Sequence, residues 1–359
     1  MFKRTKKIIN GLYHHWLTVA FFLGFITDFL LLNKVDDLFD NLILLFYVLL
    51  ATFSMMMLYV GVAERVPEGL AKFLKKYAPI LMQYSFGGLL SGMLIFYGRS
   101  GDLIASAPFL LLIITVIFGN EFVSKRSDRL VYHIALYFTG VFSYMVMVVP
   151  ILLGKMGDGI FILSGLIAVL VVTFVVQILY RIIPNYLHTN VHLVIVTVGF
   201  IYIGFNILYF TSLIPPIPLS LNQLEITQSV ERLSSGNYRV VSEAQPWYRK
   251  IPFARDVIHP INDSIACFSK VYAPTKIETD IYHRWEYKDE NGQWQEQFRL
   301  GYPISGVAKQ GYRGYTRLQS FSDGVWRCSV ETERGQVLGR KTILINTVEE
   351  TRQLMTQIK

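Results

Sequence analysis

The sequence predicts a protein in two parts: an all-α bundle of about seven transmembrane helices, followed by an all-β antiparallel sandwich outside the cytoplasm. Hydrophobic residues make up 52% of the chain and charged residues only 17%, whereas soluble domains have about 25% charged residues. The charges are also uneven, because residues 1–215 carry 15 Lys and Arg with 10 Asp and Glu, and residues 216–359 carry 19 and 16. We therefore expect a helical membrane domain over 1–214, a proline-rich linker over 215–220 and a β-domain over 221–359.

Seven apolar segments are each long enough to cross a bilayer, which takes roughly 20 residues of helix. The links between them are short, as in a compact bundle. Pro67 predicts the start of an amphipathic interfacial helix, PEGLAKFLKKY, before the third segment. The sequence SFGGLLSG contains the small residues that allow transmembrane helices to pack closely. The seven segments are 13–33, 41–62, 78–98, 103–122, 130–153, 158–182 and 191–213.

Basic residues in the links predict the orientation, because Lys and Arg accumulate in cytoplasmic links. With the N-terminus inside, the cytoplasmic links hold twelve Lys and Arg, and the outer links hold only Lys34, Arg99 and Lys155. Seven spans then place the C-terminal part outside. We expect a multi-pass protein of the bacterial inner membrane, with a cytoplasmic N-terminus and a periplasmic C-terminal domain.

Two polar residues interrupt the apolar segments. Asp28 lies in FFLGFITDFLLL, about five residues or roughly 7 Å of helix rise from the outer end of the first segment. Asn206 falls at a similar depth in the seventh segment. Because a carboxylate facing lipid is costly, we expect Asp28 to face the bundle. It could line an outward-opening polar pocket with Asn206, or it could make a structural hydrogen bond or reach the headgroups.

Beyond the linker, apolar and polar side chains alternate, which is typical of strands. Turn sequences such as DENG and SDG separate the alternating segments, as in hairpins. Six or more short antiparallel strands favour a sandwich. Residues 221–262 are too irregular to assign, and the tail TVEETRQLMTQIK predicts a short helix. The six segments are SIACFSKVY, IETDIYHRWEYK, QWQEQFRLGY, GYTRLQSF, VWRCSVETE and QVLGRKTILI.

Both cysteines lie in predicted strands, Cys267 in SIACFSKVY and Cys328 in VWRCSVETE. The alternation in each strand lets both side chains face one core. Trp285 lies in a strand between them, and this order of Cys, Trp and Cys resembles that of immunoglobulin sandwiches, in which the tryptophan packs on an inter-sheet disulfide. The predicted sandwich is therefore immunoglobulin-like. The cysteines could form a disulfide, which an oxidising compartment favours, or remain two buried thiols.

The C-terminal part also resembles a known family. The segments ERLSSGNYRVVSEAQPW, ACFSKVYAP, IYHRWEY and GVWRCSVETERGQVLG, within residues 231–346, are similar to the bacterial domain of unknown function 2914. FFLGFITDFLLL, GNEFVSKR and VVPILLGKMGDGIF resemble the membrane part that precedes this domain in family members. The resemblance implies a bacterial membrane protein. It implies no catalytic residues, because no activity is assigned to the family.

The segment QGYRGYTRLQS, residues 310–320, is a candidate binding surface. Its residues Tyr312, Arg313, Tyr315 and Arg317 combine rings with guanidinium groups, and both residue types are enriched at binding surfaces. The alternative is an ordinary exposed sheet face with a basic loop. The sequence has no phosphate loop and no GxSxG, HExxH or CxxC motif, so we expect no metal and no cofactor.

These features favour a non-catalytic recognition or assembly factor in the lipid bilayer, whose β-domain binds an envelope glycan, a lipid headgroup or a protein. The alternative is a membrane-embedded transporter or lipid-modifying enzyme, with Asp28 and Asn206 lining its cavity and the β-domain as an accessory. A sensor is less favoured because the cytoplasmic links are short. We do not expect nucleic acid as a partner, since the β-domain has only a small excess of basic residues.

Overall fold

The computed structural model describes residues 16, 19–32, 38–122, 130–244, 256–261, 263–274, 277–304, 311–347 and 353–359. The chain forms two compact units, and each unit is assembled from two stretches of sequence. The first comprises Met1–Gly98 with Ala107–Ile214, and the second comprises Arg99–Ser106 with Pro215–Lys359. The change in charge density near residue 215 coincides with a change from helices to strands.

The described part of the chain contains seven helices. They are α1 Val19–Leu31, α2 Leu38–Val62, α3 Glu68–Ser100, α4 Ala107–Phe122, α5 Leu130–Leu153, α6 Asp158–Ile182 and α7 Pro184–Phe210. Five of them, α2, α3, α5, α6 and α7, are long and apolar enough to cross a membrane, by length and composition. Helices α1 and α4 are shorter, and at 1.5 Å rise per residue they fall below the roughly 30 Å of a hydrocarbon core. The helical class agrees with the sequence prediction, and within the described residues five of the seven helices have the expected length.

Prolines mark two helix starts and occur inside two other helices. Helix α3 begins directly after Pro67 and α7 begins at Pro184, since the fixed backbone of proline fits the first helical turn. Pro79 and Pro150 lie within α3 and α5. Because α3 is continuous from Glu68, the predicted interfacial helix and the third apolar segment are one helix.

Helix α1 packs closely on α3 because glycines remove side chains from their contact. A Cβ on Gly24 would lie 2.7 Å from the backbone nitrogen of Gly88, and a Cβ on Gly87 would overlap the carbonyl of Phe21. A Cβ on Gly88 would lie 2.5 Å from the ring of Tyr47 in α2. The small residues of SFGGLLSG thus allow three helices to meet at one place.

The second unit contains eleven strands in its described residues, arranged in three sheets. Their orders are β1-β5-β8, β4-β10-β9-β6-β7 and β11-β3-β2. All neighbouring strands are antiparallel except β4 and β10. Strands β5 to β10 coincide with the six predicted segments. The strands are β1 Ser220–Thr227, β2 Ser229–Arg232, β3 Tyr238–Glu243, β4 Asp256–Ile258, β5 Ser264–Tyr272, β6 Thr279–Lys288, β7 Trp294–Ile304, β8 Tyr312–Gln319, β9 Gly324–Thr332, β10 Val337–Ile345 and β11 Leu354–Ile358.

The three-stranded sheet β1-β5-β8 and the five-stranded sheet share one apolar core. Ile265 and Cys267 of β5 enter it from the first sheet, and Trp285 of β6 enters it from the second. Ala266 and Phe268 of β5 point the other way, into a second cluster with Val230, Tyr238 and Val240 of the third sheet. Because β5 is covered on both faces, six of the nine residues of SIACFSKVY are buried, five of them in succession.

Two stretches of the β unit differ from the sequence-based expectation. Residues 221–262, too irregular to assign, contain strands β1 to β4. The tail was expected to be a short helix, but its described residues 353–359 contain β11, which pairs with β3. Tyr238 and Lys359 exchange two backbone hydrogen bonds of 2.8 Å beyond its end. Pairing with a strand distant in sequence overrides the weak helix propensity of the tail.

The loop between α3 and α4 belongs to the β unit. The backbone N–H of Asp102 donates to the carbonyl oxygen of Val337, 3.1 Å away, at the start of β10. A Cβ on Gly101 would lie 2.9 Å from the side chain of Pro215. The β unit therefore depends on a stretch of chain from between two helices.

Candidate functional site: an arginine-rich sheet face

The predicted binding surface on β8 is divided by the alternation of the strand. Arg313, Tyr315 and Arg317 lie on one face, whereas Tyr312 lies on the other with the core-facing residues. Tyr315 packs against the cluster between β5 and the third sheet. The four residues therefore do not form one surface.

Both arginines of β8 bind the hairpin formed by β2 and β3. Arg313 donates from Nη1 to Oδ1 of Asn237 over 3.3 Å, and Arg317 donates from Nη2 to the carbonyl oxygen of Val230 over 3.1 Å. The hydroxyl of Tyr238 donates to the carbonyl oxygen of Arg313 over 3.3 Å. Part of the binding capacity predicted for this segment is thus used to hold the third sheet on β8.

A different set of arginines lies on the outer face of the five-stranded sheet. Core residues such as Trp285 and Cys328 alternate along β6 and β9 with charged residues on the opposite face. Arg284 of β6 lies beside Ser329 of β9, and Ser329 lies beside Arg340 of β10. We call this set the arginine ladder, and it consists of Arg284, Arg299, Arg327, Arg340, Glu286 and Glu331.

Glu286 is the first of two buried carboxylates in the arginine ladder. Arg327 donates to its Oε2 from both Nε and Nη2, each over 2.7 Å. The hydroxyl of Ser329 donates to the same oxygen over 3.4 Å, and Nε of Arg284 lies 3.8 Å away. Since a buried carboxylate is stable only when it is paired, these contacts are required for the strand to place an acid here.

Glu331 is the second buried carboxylate, and it lies between two arginines. Arg299 donates from Nε to its Oε1 over 2.7 Å, and Nη2 of Arg284 lies 3.3 Å from Oε2. Arg299 also donates from Nη2 to the carbonyl oxygens of Thr332 and Glu333, over 2.8 and 2.7 Å. Arg284 therefore bridges the two glutamates, and Arg299 fastens β7 to the end of β9.

Two aromatic rings lie against guanidinium groups of the arginine ladder. The Cζ of Arg327 is 4.1 Å from the ring centre of Trp294, and the Cζ of Arg299 is 3.9 Å from that of Tyr282. Both distances are within the roughly 6 Å of cation–π contacts. The sheet face thus combines flat rings with fixed positive charge.

Arg340 forms no ion pair with either glutamate of the ladder. Its Nε is buried and has no hydrogen-bond partner among the described residues. Burial lowers the pKa of its guanidinium group, the positive charges of Arg327 and Arg284 lower the pKa further, and Asp102 opposes this change. Four guanidinium groups against two carboxylates leave the ladder with an excess of positive charge, of which Asp102 near Arg340 offsets a part.

The sequence indicates the direction of Arg284 and Glu286 but not their burial. Alternation along β6 places both on the face opposite Trp285, yet Glu286 is only 6% exposed and bonds chiefly to Arg327. This pairing depends on the register between β6 and β9, which lies outside local sequence. The sequence feature that could have indicated this pairing is that Arg and Glu recur on the same face of both β6 and β9.

A chain of polar side chains crosses the core between the sheet β1-β5-β8 and the five-stranded sheet. His283 lies with Nε2 2.8 Å from Oγ of Ser269 and with Nδ1 3.0 Å from Oγ1 of Thr316. Trp285 donates from Nε1 to Thr316 over 3.0 Å, and the hydroxyl of Tyr302 is 2.7 Å from Ser269. Burial lowers the pKa of His283 to about 3, so its ring is neutral at physiological pH. We call this chain the polar clasp, and it fixes how the sheets face each other.

The two cysteines are joined by a disulfide beside the polar clasp. Cys267 of β5 and Cys328 of β9 lie with Cα atoms 6.5 Å apart, so the bond connects the two sheets of the core. Together with His283 they form a group of three side chains of the kind that can bind a metal ion, and among the described residues it is the one such group. Their sulfurs bond to each other, and both ring nitrogens of His283 have hydroxyl partners, so this group does not fit a metal ion.

The hydrogen bonds of Asp28 and Asn206 go to different partners. Asp28 is fully buried in α1 and bonds to the hydroxyl of Ser91 in α3. Asn206 is half-buried and donates from Nδ2 to the carbonyl oxygen of Tyr202, one turn earlier in α7, over 2.8 Å. These bonds do not join the two residues, and a pocket lined by both has no support from them.

The fold and the site define a class of protein that combines an apolar helical unit with an all-β unit, and the all-β unit carries a charged sheet face. Residues 278–342 match the family model described as Protein of unknown function (DUF2914). The predicted resemblance is confirmed over this stretch, which holds all six residues of the arginine ladder. No curated protein matches the chain.

A match among solved structures is Pseudomonas fluorescens alkylpurine DNA glycosylase AlkC bound to DNA containing an abasic site analog. It covers 88% of this chain and 99% of its own, with 13% identity and a TM-score of 0.20. A TM-score this low does not indicate a shared fold, so this likeness has no bearing on function.

Proposed function

We propose that this protein is a membrane-anchored recognition protein whose β unit binds an anionic component of the bacterial cell envelope at the arginine ladder. The observation that carries the proposal is the ratio of four guanidinium groups to two carboxylates, both of which are already paired. Guanidinium groups match the geometry of phosphate and carboxylate. The excess charge therefore favours a ligand that carries one of these groups.

The five long apolar helices support insertion in a membrane. The bias of Lys and Arg toward alternate links supports a cytoplasmic N-terminus and an extracytoplasmic β unit. The disulfide between Cys267 and Cys328 agrees with an oxidising compartment such as the periplasm. A β unit in that place would meet envelope glycans, lipid headgroups and proteins.

We infer that the β unit is an immunoglobulin-like sandwich. In that fold a tryptophan on strand C packs on a disulfide that joins strands B and F of opposite sheets. Here Trp285 of β6 lies beside Cys328 of β9 in register, and the disulfide joins β9 to β5. With β6, β9 and β10 as strands C, F and G, the arginine ladder lies on the outer face of their sheet.

The rings beside the ladder favour an acidic glycan as the ligand. The half-buried rings of Trp294 and Tyr282 lie next to Arg327 and Arg299, with the guanidinium carbons 4.1 and 3.9 Å from the ring centres. A sugar ring can stack on an aromatic ring while its phosphate or carboxylate pairs with a guanidinium group. Neither contact needs a catalytic group, which agrees with recognition.

The test is binding of full-length protein, in lipid nanodiscs, to envelope glycans with phosphate or carboxylate groups, compared with neutral glycans. Arg340→Gln is the variant of choice because it breaks no ion pair with Glu286 or Glu331. A hydrogen bond to a charged group contributes about 1.5–3 kcal/mol, so the dissociation constant should rise roughly 10- to 100-fold. Added salt should weaken wild-type binding as well.

Arg317→Gln on β8 is the matched control, since it removes the same charge from another face. Binding that survives in this control and is lost in Arg340→Gln supports the ladder. The reverse result would move the site to the surface around Tyr315. Equal affinity of both variants and the wild type, or equal affinity for neutral glycans, would contradict the proposal.

A membrane-embedded transporter or lipid-modifying enzyme is the second proposal. The observation that favours it is the carboxyl group of Asp28, which is buried among the helices. An ionisable residue in such a place is by default a candidate for function.

A further inference from the structure

The carboxyl group of Asp28 is buried between α1 and α3. Asp28 is 0% exposed, although Phe29 and Leu30, the next residues of α1, are 69% and 72% exposed. Its Oδ2 forms a hydrogen bond with Ser91 of α3, and the hydroxyl of Tyr47 and the backbone N–H of Gly92 also interact with the carboxyl group. By hydrogen-bond geometry its Oδ1 has no partner among the described residues. The acid is therefore directed into the helix contact, away from the exposed side of α1.

Ser91 has one hydroxyl hydrogen and two oxygen atoms within reach. Its Oγ lies 2.9 Å from the carbonyl oxygen of Gly88 and also within hydrogen-bond distance of Asp28. If the hydrogen of Ser91 goes to Gly88, the hydrogen between Ser91 and Asp28 must come from Asp28. A neutral carboxylic acid satisfies both contacts, because Asp28 donates to Ser91 and Ser91 donates to the carbonyl oxygen of Gly88.

No cation among the described residues compensates a negative charge on Asp28. In the described helices no Lys, Arg or His pairs with it, and the titratable group that faces it is Tyr47 of α2, itself next to Tyr84 of α3. Tyrosine is neutral at physiological pH. A carboxylate buried away from water without a cation is strongly disfavoured, and such a group takes up a proton instead.

We propose that Asp28 is a proton-binding site of the helical unit, which exchanges a proton near neutral pH and, when protonated, donates it in a hydrogen bond to Ser91. Loss of the proton would leave a charge where Gly24 and Gly88 bring α1 and α3 into direct contact. Proton release must then accompany separation of the helices, or entry of water or a cation. This proton-binding site does not depend on anion binding by the arginine ladder.

Infrared spectroscopy of the full-length protein tests the proposal, because a protonated carboxylic acid has a carbonyl band separate from that of a carboxylate. At about pH 7 the wild type should show an acid band that disappears in Asp28→Asn. Ser91→Ala should keep the band and move it to higher frequency, since the acid loses its hydrogen-bond partner.

Asp40→Asn is the matched control, because Asp40 of α2 is a second buried aspartate, at 1% exposure. The band of Asp28 should persist in this variant. Loss of a carboxylate band in Asp28→Asn, with no change in the acid region, would overturn the proposal. If Asp28→Asn fails to fold, the Ser91→Ala variant decides. An acid band at the same frequency in Ser91→Ala as in the wild type would also overturn the proposal.

Discussion

His283 makes the folded β unit sensitive to acid. Its folded pKa is about 3 because of burial, whereas the unfolded residue titrates near 6.5. Between these values the unfolded chain binds a proton that the folded chain does not bind. The free energy of unfolding should therefore fall as the pH drops below 6.5, by about 1.4 kcal/mol per pH unit, and this contribution is fully present above 6.5.

The measurement is urea unfolding of the full-length protein, followed by tryptophan fluorescence at pH 7 and pH 5. The β unit should lose about 2 kcal/mol between these conditions through this residue. His283→Asn cannot titrate, so its loss over the same interval should be smaller by that amount. A variant with the pH dependence of the wild type would contradict the assignment.

For single residues of the site, the strand face on which a side chain lies was predictable from sequence, but the residue with which it pairs was not. Alternation along β6 places Arg284 and Glu286 on one face and His283 and Trp285 on the other, as the structure has them. The pairing of Glu286 with Arg327 joins residues of different strands, and only the sheet register determines it. The same limit explains why Arg313 and Arg317 looked available in the sequence although the β2–β3 hairpin binds them.

At the scale of elements, the contact of α1, α2 and α3 has no room for side chains. Gly88→Ala would place a Cβ 2.5 Å from the rigid ring of Tyr47, so a helix must move. Overpacking of this kind costs about 1–3 kcal/mol, and the thermal midpoint in detergent should fall. Gly98→Ala is the matched control in the same helix, because a Cβ there meets nothing within 4 Å. Equal midpoints of the two variants would contradict the close packing.

Elements with a strong local pattern were predictable, and those made by distant contacts were not. Apolar length is a local property, so the helices follow from sequence, and strands β5 to β10 follow from alternation. The tail that contains β11 was expected to form a short helix. It becomes a strand only when β3 supplies the hydrogen-bonding edge.

At the scale of the whole molecule, one covalent bond fixes the β unit across its core. The disulfide joins Cys267 and Cys328 across 61 residues of sequence. In the chain-entropy account, a loop of this length contributes about 4 kcal/mol to the free energy of unfolding. Replacement of both cysteines by alanine should remove most of this, measured by thermal unfolding of the full-length protein.

A reducing agent provides the control for that measurement. It should lower the midpoint of the wild type and leave the double alanine variant unchanged. If the midpoint of thermal unfolding of the wild type is the same with and without the reducing agent, the two cysteines are not joined in the protein.

The α3–α4 loop limits how this protein can be recombined. A fragment that starts at Pro215 has all eleven described strands but lacks the N–H of Asp102 that pairs with the carbonyl of Val337. It also uncovers the side of Pro215 that Gly101 contacts. The β unit is therefore not one contiguous cassette, and a chimera that transfers it to another anchor has to carry residues 99–106 as a second insert.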